Sequence, residues 1–133
     1  MSFIPFVREH ARPLAFGALH AFYSAPGQTY CIGMFIAAVG GSLGMNPAEI
    51  GGLYLAGTVG SALTLLFVGQ WIDHVRLVHF SAAVIVGLVV ACLVMASAAG
   101  AFTLFLAFYL LRLTGQGLMI HVEATATARS VFG

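Results

Sequence analysis

Gly69-Gln70-Trp71-Ile72-Asp73-His74-Val75-Arg76 is the only charged cluster lying between two long apolar runs of this chain. Before it, residues 48–70 contain one charged side chain, Glu49; after it, residues 77–98 contain no Asp, Glu, Lys or Arg. Each run reaches the length of about 20 residues that a membrane-spanning helix needs. Trp71 suits the interface between the two, where an amphipathic ring sits at headgroup level. The stretch therefore reads as a short polar turn between two spans.

Working outward, the same grammar repeats. Pro13 opens an apolar segment that runs to about residue 39, too long for the 7–15-residue apolar region of a signal peptide. Pro26-Gly27 lies in its middle and predicts a kink, because neighbouring groups in a bundle can satisfy the freed carbonyl. Residues 40–47, Gly-Gly-Ser-Leu-Gly-Met-Asn-Pro, read as a loop, and Asn46-Pro47 with Glu49 as a helix start. A last apolar segment covers about 102–127. The expected fold is all-α: a polytopic membrane bundle with spans at about 13–39, 48–70, 77–98 and 102–127. Residues 1–12 form a polar N-terminal segment and 13–133 the membrane domain.

Composition agrees. Of 133 residues 61% are hydrophobic and 7% charged, and there is no lysine; a soluble domain carries about 25% charged residues. Too little charge is available to solvate a globular surface or to form a basic face for nucleic acid. Arg8, Arg12, Arg76 and Arg129 all fall on one side of a four-span arrangement and none on the other. That asymmetry puts both termini and the 71–76 turn in the cytoplasm.

Small residues four apart let helices approach closely in lipid. The second span carries Gly52, Ala56, Gly60 and Thr64, with Gly57 and Ser61 beside them; the third carries Ala83, Gly87 and Ala91. In the first span His20, Ser24, Gly27, Gln28 and Cys31 share one helical face. Such a face is either a set of structural hydrogen bonds between helices or part of a solute path. Arg112 lies about ten residues into the fourth span, where an arginine costs roughly 2.5–3.5 kcal/mol on insertion scales. Gln116 and Glu123, four and eleven residues on, are expected to share its face. Arg112 is either in a structural pair or snorkelling, or it is an anion or proton site in a cavity.

No enzyme signature is present: no Gly-x-Ser-x-Gly, no His-Glu-x-x-His, no phosphate loop and no paired carboxylates at depth. His10, His20, His74, His79 and His121 have no ligand spacing, and Cys31 and Cys92 read as small buried apolar residues. Neither an enzyme, a metal nor a cofactor is expected.

Gly69 through Arg76, in the turn between spans two and three, resembles the signature loop of the major facilitator superfamily: Gly, then Asp four residues on, then basic positions around a second Gly. Gly69 and Asp73 match, His74 stands at a usually basic position, and Arg76 replaces the second Gly. Arg112-Leu113-Thr114-Gly115-Gln116-Gly117 resembles the family's second signature, with Gly and Gln in swapped order. The segments 24–29 and 125–133 also look like bacterial members. The resemblance implies spans one to four of a twelve-span secondary transporter of the bacterial inner membrane, an N-terminal portion inactive without further helices or a partner membrane chain. It further implies that Arg112, Gln116, Gln28 and His20 line a path for a small-molecule solute. Gly69, Asp73, Arg76 and Glu123 would form a cytoplasmic latch. The other readings are a small four-span oligomeric exporter, lacking the acidic residue such a protein carries in its first span, and a non-transporting subunit packing through its glycine stripes.

Overall fold

The computed structural model describes residues 3–132; the side chains of 3, 72, 73 and 130–132 lie outside the description. Among the described residues the chain is helical, with no strand. A short α1 (Phe3–Glu9) leads into α2 (Ala11–Tyr23), which ends in a 3₁₀ turn, Ala25–Gly27, before α3 (Thr29–Leu43). Then follow α4 (Pro47–Val68), a 3₁₀ stretch Gly69–Asp73, α5 (Leu77–Ala96) and α6 (Ala101–Leu111). A π-helical stretch, Arg112–Met119, carries α6 directly into α7 (Ile120–Phe132).

Three segments are long and apolar enough to cross a membrane: Pro47–Trp71, Leu77–Ala96 and Ala101–Arg129. They mark a membrane-embedded protein by length and composition. The first apolar segment behaves differently from one kinked span. It is broken outright at Pro26-Gly27 into helices of 13 and 15 residues, each short of the ~20 residues that would span alone. Pro26 supplies no N–H, and the backbone closes instead with 3₁₀-type bonds, Gly27 N–H to Ser24 O and Gln28 N–H to Ala25 O, both 3.0 Å.

Helix ends follow local chemistry. Asn46 and Glu49 form a reciprocal capping box, each side chain accepting the other's backbone N–H at 2.9 Å, with Pro47 at the first helical position. Ahead of it α3 ends at Gly44, whose φ of +64° is the left-handed conformation that favours glycine. Residues 40–43, expected in the loop, are helical. Gly40 is buried against the Ile50 side chain, and the Ser42 hydroxyl donates to Val39 O at 2.9 Å. Packing outweighs the poor helix propensity of glycine here.

The continuous α6–α7 body is the centre of the bundle, touching α2, α4 and α5. Leu104, Ala107, Phe108, Leu111, Leu118, Met119, Val122 and Ala126 make its buried face. The outer faces of α4 and α5 are apolar and exposed, with Leu55, Leu66, Phe67, Val86 and Leu93 among them, as a lipid-facing surface requires. Small residues set the seams. Gly57 packs on the Phe108–Tyr109 backbone, Gly60 on the Tyr109 ring, and Gly87 on Thr114. Gly52, Ala56 and Ala83, on the same expected stripes, face outward. A strict four-residue stripe drifts around a 3.6-residue helix, so the seam keeps only Gly60 and Thr64 of it and is completed by Gly57 and Ser61.

Candidate functional site

The break in the first helix lies directly on the π stretch of the central one. A Cβ built on Gly115 would stand 2.7 Å from Gly27 Cα, 2.9 Å from Gly27 N and 3.1 Å from Ser24 O. Backbone meets backbone at this crossing, and both positions must be glycine for it to form. Two different polar environments flank it.

On the side of α2 and α5, His20 is buried. Its Nδ1–H donates to Phe16 O at 3.0 Å, which leaves Nε2 to accept the Ser81 hydroxyl of α5 at 2.6 Å. Ser24, also buried, donates to Ala21 O at 2.6 Å and accepts Gln28 Nε2 at 3.2 Å. The polar face read from the sequence does turn into the bundle, and its groups close upon one another. The neighbouring grooves, of about 580 and 390 Å³, are walled almost wholly by apolar side chains, with Cys31 and Cys92 as half-buried free thiols.

On the side of α3 and α4 the groups are less well matched. Arg112, half-buried, donates from one guanidinium nitrogen to the Thr29 hydroxyl at 3.0 Å, and its carbon stands 5.5 Å from the centre of the Tyr54 ring. The Tyr54 hydroxyl donates to the same Thr29 oxygen at 3.2 Å, and its ring meets Phe108 edge-on. Among the described residues Arg112 has no carboxylate partner. A cavity of about 270 Å³ opens beside it, bordered by Thr58, Ser61, Ala62, Leu65 and Gln116. Gln116 Oε1 is the one buried side-chain polar atom without a hydrogen-bond partner among the described residues.

The structure thus brings together Arg112 and Gln116. It places Gln28 against Ser24, and His20 on the far side against α5. Glu123 does not share the Arg112 face: its side chain lies over Gly17 of α2, with Cγ 3.1 Å from the Cβ position there. The physical reason is the π stretch, whose i→i+5 bonding winds more slowly than an α-helix and rotates everything after Met119 away from the expected register. At the turn, Gly69 sits in ordinary helical geometry, where α4 tightens to 3₁₀. Arg76 is exposed at the start of α5, and among the described residues no ion pair joins it to Glu123. The side chain of Asp73 lies outside the described residues.

Sequence reasoning missed Thr29, Tyr54, Thr58 and Ser61 as a group. Tyr54, Thr58 and Ser61 recur at four and three residues, a polar stripe on α4 at helical spacing that the small-residue pattern overlies.

No protein-family model, no curated protein and no solved structure matches the chain.

Proposed function

We propose that this chain is a four-span membrane bundle, with both termini cytoplasmic, belonging to a secondary transporter of the major facilitator type for a small solute. One observation carries the reading: an arginine without a carboxylate partner among the described residues, well inside the central helix, borders an open cavity with polar lining beside a broken helix. Charged groups inside a membrane are costly and, where kept, line solute or ion pathways. Discontinuous helices beside a polar site at mid-depth are how many secondary transporters build their binding sites. In this reading α2 and α3 together make the first span, and alternating access requires further helices, from the same reading frame or a partner chain.

A second reading, a non-transporting subunit, draws on the outer face of α3. Gly33, Ala37 and Gly41 are exposed there four residues apart, with open space around both glycines. A partner helix would fit that face.

Cysteine accessibility tests the topology. With Cys31 and Cys92 replaced by alanine, a cysteine at Ala99 is expected to react with a membrane-impermeant maleimide in intact cells. One at His74 or Ser2 reacts only after permeabilisation. Labelling of His74→Cys from outside overturns the arrangement. Sequencing downstream of codon 133 tests the larger assembly: further apolar segments support the transporter, and a stop with a co-purifying membrane protein supports the subunit.

A further inference from the structure

The cavity beside Arg112 has a donor and acceptor balance that specifies a ligand class. A guanidinium offers five N–H donors, and among the described residues one hydrogen bond, to Thr29, is formed. The hydroxyls around the cavity are left as acceptors. Thr58 has spent its proton on Tyr54 O and Ser61 on Thr58 O, both at 2.8 Å, so each hydroxyl oxygen keeps its lone pairs. Gln116 brings an amide whose Oε1 is buried without a donor among the described residues and whose Nε2 carries two N–H donors. The space is thus bordered by a cation and an amide that can donate and by two hydroxyl oxygens that can accept, with Ala62 and Leu65 as apolar wall.

We propose that this cavity binds a small hydroxycarboxylate: the carboxylate on Arg112, the hydroxyls donating to Thr58 and Ser61. The proposal rests on the transport reading and names the substrate class of that site. Size permits it, since 270 Å³, about nine waters at about 30 Å³ each, leaves room for a small solute and some of its water. Alternatives fit less well. A phosphate would call for a second cation, and the chain has no lysine. An alkyl carboxylate would satisfy Arg112 and leave the Thr58 and Ser61 oxygens desolvated without donors, which is costly. An amino acid would bring an ammonium to a cavity bordered by no carboxylate, because Glu123 lies against α2.

The test is direct binding to the purified chain in nanodiscs, with glycerate as probe and propionate, glycerol and alanine as comparisons. Glycerate is expected to bind about tenfold or more tightly than propionate, since a site built to hydrogen-bond hydroxyls rejects the analogue lacking them. Glycerol, without the charge, and alanine are expected to bind more weakly than glycerate. Arg112→Gln abolishes binding of both acids. Thr58→Val with Ser61→Ala brings glycerate down to the level of propionate and leaves propionate unchanged, an effect that general loosening of the bundle would not produce. Equal binding of glycerate and propionate, or glycerate binding indifferent to the Thr58 and Ser61 changes, overturns the proposal, as does no binding by a chain whose unfolding midpoint is intact. Glycerate binding without uptake by cells expressing the full reading frame would sink the transport reading and leave the site. Uptake of a solute that is not a carboxylate, with no glycerate binding, would do the reverse.

Discussion

The two sides of the glycine crossing use polar residues in opposite ways. Towards α2 and α5, His20, Ser81, Ser24 and Gln28 satisfy one another inside the bundle. Towards α3 and α4, Arg112 is held by one hydroxyl and one ring while Gln116 keeps an orphan oxygen. In a medium without water to take up the difference, a closed network stabilises and an open one destabilises. The lesson is that polarity at depth is not by itself a functional signal; unspent hydrogen-bonding capacity is.

The most severe way to break the comparison is at the crossing both sides share. Gly115→Val puts new atoms into the Gly27 backbone, and overpacking of that kind costs about 3 kcal/mol or more where neither backbone can yield. The variant is expected to lose its cooperative thermal transition in detergent; a midpoint close to the parent's would show that the crossing is looser than described. Arg112→Leu is the next largest and goes the other way. Removing an arginine that costs roughly 2.5–3.5 kcal/mol at depth is expected to raise the unfolding midpoint. A clear fall would place Arg112 with the structural residues and erase the contrast. His20→Ala, on the closed side, is expected to lower stability by about 1–2 kcal/mol. Ser81→Ala should reproduce most of that loss, and a double mutant close to either single one would confirm a shared bond. The smallest change is expected from Tyr54→Phe, which removes the hydroxyl bond to Thr29 and keeps the ring beside Arg112. Chemical unfolding should register about 0.6 kcal/mol.

Much of the architecture is legible in the chain. Apolar runs bounded by Asn46-Pro47, Trp71–Arg76 and Ala98–Gly100 mark the helices, and the observed ends fall within a few residues of those signals. Asn46 and Glu49 announce the start of α4 because capping is local chemistry, decided by residues three apart. The break at Pro26-Gly27 was visible as a kink; its depth was not, since a proline specifies a missing donor and not the angle taken up afterwards. The site was half visible. Arg112 and Gln116 stand out as polar residues in an apolar helix, whereas Tyr54, Thr58 and Ser61 look ordinary until the neighbour across from them is known.

By itself the sequence determined that the chain is helical, apolar enough for a membrane, and carries an arginine deep in its last long helix. Those are properties of composition and of spacing along one element. Only the tertiary structure decided which groups Arg112 meets, which polar residues are already satisfied, and that Glu123 belongs to another face. The reason lies in the eight π-helical residues from Arg112 to Met119. They change the winding of the central helix at the point where Gly115 admits the Gly27 backbone. A face counted at 3.6 residues per turn holds only while the helix keeps that winding, and here the winding changes where a neighbour distant in sequence packs against it.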